Sequence, residues 1–120
     1  MTQKEIAIQF LLLAGTGKVD EAFERFVSEH FVHHNQYFES TRIALATAMI
    51  EAHASSPNKS IEVKQCFQEG DTVITHALVQ KKDMDITVVH IFRFEGELIA
   101  ELWDVGQILL EDSPNKIGAF

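Results

Sequence analysis

A carboxylate and an imidazole fall on the apolar side of what the sequence predicts to be one β-hairpin. Successive residues of a strand point to opposite faces, so residues two apart share a face. The first run places Ile86, Val88, His90, Phe92 and Phe94 on one face, and the second places Leu98, Ala100, Leu102, Asp104 and Ile108 on one face. A buried charge is costly unless it is paired, and catalysis is one reason for a protein to carry that cost. The pattern therefore marks Asp104 and His90 as candidate acid/base residues.

The connection between the two runs sets how close these side chains come. Glu95 and Gly96 are typical of a turn. A three-residue turn places His90 diagonal to Asp104, and a five-residue connection places the two directly opposite each other. In both registers they share a face with Cβ atoms ~5–8 Å apart. An odd register would turn one apolar set toward water.

Length, charge and cysteine content narrow the class of protein. The 120 residues predict a single domain over residues 1–120 with a real core. A net charge of −8, with only 10 Lys and Arg, argues against nucleic acid or an anionic membrane as a partner. The single cysteine, Cys66, excludes an internal disulfide and favours a reducing cytoplasm.

Helical patterns fill the first half of the chain and strand patterns fill the second. A capping box at Thr2 to Glu5 predicts a helix to about Ala14, and a second helix follows from near Asp20. A loop is predicted over 31–38, and then a third helix capped by Ser40 with Ile43 on its buried face. The predicted strands are Ile61–Gln68, Thr72–Lys81, Ile86–Phe94 and Leu98–Leu110.

This order predicts an α+β fold, in which three helices pack on one face of a curved antiparallel sheet. The other face of the last two strands is also apolar, with Val89, Ile91, Ile99, Trp103 and Val105. A second copy of the same sheet is the simplest cover, so we predict a homodimer through this outer face.

Three segments carry a family resemblance: Phe31-Val-His33-His34-Asn35, Val89-His90-Ile91-Phe92-Arg93-Phe94, and Ile99-Ala-Glu101-Leu102-Trp103-Asp104-Val105. Together they resemble the SnoaL-like polyketide cyclases of the NTF2-like superfamily, and more closely the uncharacterised branch with a predicted aldol-condensing activity. The resemblance implies an NTF2-like cone, with a strongly curved sheet that encloses a pocket. Val88, Leu102 and Gln36 depart from the cyclase pattern, which leaves the substrate open.

The resemblance also implies roles for particular residues. Asp104 corresponds to the acid/base of the characterised cyclases, and His90 to the histidine that helps to position it. His34 and Asn35 correspond to the loop at the pocket mouth. The implied reaction is a cofactor-independent aldol closure or proton transfer on a small hydrophobic carbonyl compound, with His90 and Asn35 donating to the enolate oxygen.

Other residues of the predicted pocket come from the strand and loop patterns. Val88 lies two residues before His90, and Tyr37 and Phe92 are expected in the pocket wall. On the strand over 72–81, two faces are equally plausible as core. One carries His76 with Ile74 and Leu78 and would make His76 a substrate-binding residue of the pocket, and the other carries Val73, Thr75, Ala77 and Val79.

Alternative functions stay open at this point. Asp104 and His90 could form a buried structural pair inside a non-catalytic small-molecule-binding or dimerising module. An isomerase acting on a ketone would use the same base. No metal is expected, because His30, His33 and His34 match no recognised zinc spacing.

Overall fold

The computed structural model describes all 120 residues, as three helices and five strands. The helices are α1 (Gln3–Gly15), α2 (Val19–Phe26) and α3 (Arg42–Ser55). The strands are β1 (Val27–His33), β2 (Asn58–Glu69), β3 (Thr72–Lys81), β4 (Asp85–Glu95) and β5 (Leu98–Ile108). None of the helices has the length and apolar character needed to cross a membrane.

The predicted capping box starts α1. The Thr2 hydroxyl accepts from the Glu5 backbone N–H at 3.1 Å, and the Glu5 carboxylate accepts from the Thr2 N–H at 2.9 Å. Two backbone donors that the helix itself cannot use are thereby satisfied. These hydrogen bonds hold the Glu5 pKa below its ordinary value.

The start and the buried face of α3 differ from the prediction. Thr41 caps the helix, not Ser40, because the Thr41 hydroxyl accepts from the Ala44 N–H at 3.2 Å. Ile43 is 74% exposed, and the fully buried residue of the helix is Leu45. Ile43 and Leu45 are about 200° apart around the helix, since an α-helix has 3.6 residues per turn, so burial of Leu45 turns Ile43 toward solvent.

The sheet is mixed, with strand order β1-β5-β4-β3-β2. The predicted loop over 31–38 was wrong at its start, because Phe31 to His33 belong to β1. This strand runs parallel to β5, so the sheet is not wholly antiparallel as predicted. The β1 sequence gave little signal because Glu29 and His30 interrupt the apolar alternation by which strands are recognised.

A bulge near the β4–β5 turn changes which residues of β5 enter the core. The pairing shifts between Arg93 and Phe94, so that Phe94 lies opposite Ile99. As a result Ile99 is fully buried, although it was predicted on the outer face, and Leu98 is 42% exposed, although it was predicted inside. An extra residue in one strand reverses the parity of everything beyond it.

The core lies between the helices and the concave face of the sheet, the face that carries Val73, Phe92 and Leu102. The Phe10 ring of α1 meets the Phe23 and Phe92 rings edge to face, at centroid distances of 5.4 and 6.0 Å. Such arrangements add to the stabilisation that burial of the rings provides. The core therefore fixes the concave face on which the candidate site lies.

Candidate functional site

One polar row crosses the apolar concave face. His90 of β4 lies directly opposite Asp104 of β5, which is one of the two predicted arrangements, but a two-residue turn and the bulge beside it produce this pairing and not a five-residue connection. Thr75 of β3 lies opposite His90 on the other side, and Cys66 of β2 lies opposite Thr75. Directly opposed residues in a sheet share a face, so the four side chains form a continuous row over four strands.

Asp104 is held at one oxygen and free at the other. Its Oδ2 accepts from Nδ2 of Asn35 at 3.2 Å, and its Oδ1 has no protein partner. The side chain is half-buried, and no hydrogen bond joins it to His90. A carboxylate with one anchored oxygen and one free oxygen has the geometry that a general base needs.

The loop after β1 orients Asn35. Its Oδ1 accepts from the Tyr37 backbone N–H at 3.0 Å, which turns Nδ2 toward the carboxylate. The buried His33 holds the same loop, because its Nδ1 accepts from the Asn35 N–H at 3.1 Å and its Nε2 contacts the Glu39 carbonyl at 2.6 Å. These contacts require neutral His33 with its proton on Nε2. Sequence reasoning missed this role of His33.

His90 is a neutral imidazole at neutral pH. Burial lowers its pKa from 6.5 to about 4, although the nearby Asp104 acts in the opposite direction. Its Nδ1 is enclosed and has no hydrogen-bond partner. The ring stacks near Phe92, with centroids 5.8 Å apart. A neutral imidazole donates from one nitrogen and accepts at the other, so His90 can bind a polar ligand atom without carrying charge.

Thr75 was not identified as a site residue from the sequence. Its side chain is 0% exposed, and its hydroxyl has no hydrogen-bond partner. The sequence contained one indication of its position, because Thr75 lies with Val73 and Ala77 on one of the two strand faces that were plausible as core. At the far end of the row, burial raises the pKa of the Cys66 thiol, so this group stays protonated.

The structure brings some of the predicted site residues together and separates others. Val88 lies on the face of Asp104 and His90, two residues before His90. Phe92 also lies on this face but is fully buried in the core, where its ring is closed off from any ligand. Tyr37 lies in the loop after β1 with 78% of its surface exposed, so it does not form part of a pocket wall.

His34 and His76 lie on the outer face of the sheet, away from Asp104. The His34 ring stacks on Trp103 at 4.6 Å, and its Nε2 contacts a Glu101 carboxylate oxygen at 2.6 Å. Arg93 donates to the other oxygen of Glu101, and these hydrogen bonds hold the Glu101 pKa below its ordinary value.

His76 pairs with Val89, the residue before His90. Because adjacent residues of a strand point to opposite faces, His76 lies on the outer face. Its two ring nitrogens contact Gln65 and Thr87, both at 2.9 Å, and its ring stacks on Phe120 at 4.7 Å. The sequence left two faces of β3 as alternatives for the core. The buried face is the one that carries Val73, Thr75 and Ala77. Neither outer histidine is therefore within reach of a ligand that contacts Asp104.

The pronounced surface clefts lie elsewhere. One of about 730 Å³ lies between α2, β1 and α3, and one of about 850 Å³ lies between the β3–β4 turn and the residues after β5. Two smaller ones, of about 510 Å³ each, adjoin them. Asp104 and His90 line none of these four clefts. Within the polar row only Thr75 is fully enclosed, and the residues at its two ends, Asp104 and Cys66, are partly exposed.

No group of three or more His, Cys, Asp or Glu side chains is arranged to hold a metal ion.

The sequence model of the SnoaL-like domain family matches residues 9–102. The chain belongs to the SnoaL-like domain family. The match covers the loop of Asn35 and the strand of His90, and it ends two residues before Asp104. No curated protein matches the chain.

Solved structures confirm the NTF2-like fold of this SnoaL-like domain. AclR, a putative hydroxylase from Streptomyces galilaeus, matches with a TM-score of 0.74 and 19% identity over 88% of each chain. An NTF-2 like protein of unknown function from Burkholderia xenovorans matches with a TM-score of 0.74 and 16% identity, over 93% of this chain and 88% of that one. A putative polyketide cyclase from Acidithiobacillus ferrooxidans matches with a TM-score of 0.73 and 14% identity, over 88% and 87%.

Proposed function

We propose that this SnoaL-like domain is a cofactor-independent acid/base enzyme that acts on a small hydrophobic carbonyl compound, with Asp104 as the base. The observation that carries the proposal is the state of Asp104, which has one oxygen held by Asn35 and a free oxygen beside a neutral His90. The putative polyketide cyclase from Acidithiobacillus ferrooxidans, which shares the fold, supports the same class of chemistry.

The proposed reaction begins with proton removal from carbon. The free Asp104 oxygen takes a proton from a carbon next to a carbonyl, and the C–H electron pair forms the enolate. In an aldol closure, the enolate carbon attacks a second carbonyl of the same molecule, and protonated Asp104 returns its proton to the new alkoxide. In an isomerisation, the proton returns to carbon. One carboxyl group serves both steps if it reaches both atoms.

The contacts favour different roles for Asn35 and His90, the two neighbours of Asp104. Asn35 uses its Nδ2 on the carboxylate, so its role in the proposal is to orient the base and not to bind the enolate oxygen. His90 has an enclosed nitrogen without a partner and is the better donor to that oxygen. Because His90 is neutral, it can stabilise the negative charge that develops on the enolate oxygen without protonating the Asp104 carboxylate.

Deuterium exchange tests the proposal directly. Wild type and Asp104→Asn are incubated in D₂O with 2-tetralone and a panel of β-keto esters, and loss of the α-proton signal is followed by NMR. Wild type is expected to exchange the proton faster than buffer, and Asp104→Asn is expected to lose at least 100-fold of that excess, as for loss of a general base. Asp83→Asn changes an exposed turn carboxylate and is the matched control. Equal rates for wild type and Asp104→Asn would refute Asp104 as the base.

A non-catalytic binding module is the second candidate, and one observation favours it. No pronounced cleft reaches Asp104 or His90, which favours a role without turnover at this pair. In this case ligands bind without turnover, so wild type and Asp104→Asn would show the same buffer-level exchange while both still bind ketones. Ligand-detected NMR on the same samples separates the two candidates.

We also propose that two copies pair through the outer sheet face. This face carries exposed apolar side chains, among them Val105 with 67% of its surface exposed. Light scattering at micromolar concentration is expected to give twice the monomer mass of 13.6 kDa, and Val105→Lys is expected to give monomers. Ile43→Lys changes an equally exposed position on α3 and is expected to leave the dimer intact. A wild-type monomer would refute the proposal.

A cytoplasmic location is a further proposal, and it rests on the single cysteine alone.

A further inference from the structure

Two buried polar atoms without partners lie on neighbouring strands, in the same row as the candidate base. They are the Thr75 hydroxyl and Nδ1 of His90, on directly opposed residues of β3 and β4. Buried polar atoms in folded proteins almost always have hydrogen-bond partners, because an unpartnered one costs about 1–3 kcal/mol. Here two such atoms are on directly opposed residues, and the residue on the other side of His90 is Asp104, whose carboxylate has a free oxygen.

We infer that the Thr75 hydroxyl and the His90 imidazole together bind the carbonyl oxygen of the ligand, which becomes the enolate oxygen. This inference rests on the proposed function and deepens it. It assigns Thr75 as an oxygen-binding residue, and it defines the ligand class as ketones or β-dicarbonyl compounds that present an oxygen to the pair and an acidic C–H to Asp104.

The order of the row supports this assignment. Asp104 and His90 are partly exposed, whereas Thr75 is fully enclosed, so burial increases along the row from Asp104 to Thr75. A ligand that enters at Asp104 meets the base first and the hydroxyl last. Its oxygen therefore points inward and its acidic carbon stays near the carboxylate.

The chemistry of the pair suits an oxygen and not a cation. A hydroxyl and a neutral imidazole can each donate one hydrogen bond to the same oxygen, as an oxyanion site requires. Cys66, beyond Thr75, keeps its proton and adds no negative charge. As the C–H electron pair moves into the enolate, the carbonyl electrons move onto the oxygen, and the two donors stabilise the charge formed there.

The first test uses a substitution that separates a structural hydroxyl from a ligand-binding one. Thr75→Val keeps the branched shape and removes the hydroxyl, and Thr75→Ser keeps the hydroxyl. Because the hydroxyl has no partner in the fold, Thr75→Val is expected to keep or raise the thermal midpoint. Its excess exchange of 2-tetralone in D₂O is expected to fall by about 100-fold, as for loss of an oxyanion donor. Thr75→Ser is expected to retain most of the exchange, and Thr72→Val, on the outer face of the same strand, all of it.

The second test measures binding and does not depend on turnover. The probe is 2-naphthol, which has the shape of the 2-tetralone enol, and naphthalene is its counterpart without the oxygen. Fluorescence titration is expected to show tighter binding of 2-naphthol to wild type, and loss of that preference in Thr75→Val by about 3- to 10-fold.

The outcomes separate the two proposals. Exchange and 2-naphthol preference that are unchanged in Thr75→Val would overturn the inference while leaving Asp104 as the base. Equal exchange in wild type and Asp104→Asn would refute the proposed function, and the 2-naphthol preference would then decide the oxygen site by itself. Absence of any preference for 2-naphthol over naphthalene in wild type would also overturn the inference.

Discussion

His90 makes the stability of the fold depend on pH in a way that one substitution can isolate. Its pKa falls from 6.5 to about 4 on folding, because the buried ring is more costly to charge than the ring in water. Between these two values the unfolded chain binds a proton that the folded chain does not bind. Stability therefore falls as the pH drops below about 6.5, and the loss is complete near pH 4.

The expected size follows from the two pKa values. At about pH 5, linkage gives a loss of about 2 kcal/mol relative to about pH 7, and the full loss below pH 4 is about 3 kcal/mol. A small domain has only about 5–15 kcal/mol of stability, so the effect is a large fraction of the total.

Urea unfolding of wild type and His90→Asn at the two pH values measures this loss. His90→Asn keeps a polar group at the position but does not titrate, and every other ionisable group, Asp104 included, is common to both proteins. The free energy of unfolding is expected to fall by about 2 kcal/mol more in wild type than in His90→Asn. Equal pH dependence in the two proteins, or an NMR titration of His90 with a midpoint near 6.5, would contradict the reasoning.

Three further predictions address the loops and the thiol. Gly17→Ala is expected to lose about 1–3 kcal/mol in urea unfolding, because Gly17 has φ +99° and an added Cβ would lie 2.7 Å from Nε2 of His53; an unchanged midpoint would contradict this. His33→Phe keeps the ring volume but removes both ring hydrogen bonds, so faster amide exchange at Asn35 in a folded protein is expected, and retained protection would show that the loop does not need them. Cys66 is expected to react with a disulfide reagent slowly when folded and rapidly in urea, because burial raises its thiol pKa; equal rates would argue against that shift.

Local patterns in the sequence predicted much of the fold. The capping box at Thr2, the bounds of Thr72–Lys81, and the shared face of His90 and Asp104 depend only on residues close along the chain. Helix caps and the two-residue period of a strand are local properties, so a single sequence contains them. The SnoaL-like family was predicted on the same ground, from short segments around Asn35, His90 and Asp104.

Contacts between distant segments decided the rest. The two faces of β3 are equally apolar in sequence, and only packing against the helices placed Thr75 inside and His76 outside. The bulge that buries Ile99 and exposes Leu98 comes from the pairing of two strands, and the sequence of either strand alone does not specify it. His34 and Asn35 are adjacent in the chain but lie on opposite sides of the sheet, because β1 joins the edge of β5 and the chain turns there. The sequence by itself determined which residue types could do chemistry, and tertiary packing determined which of them meet, because the choice of a buried face depends on what covers it.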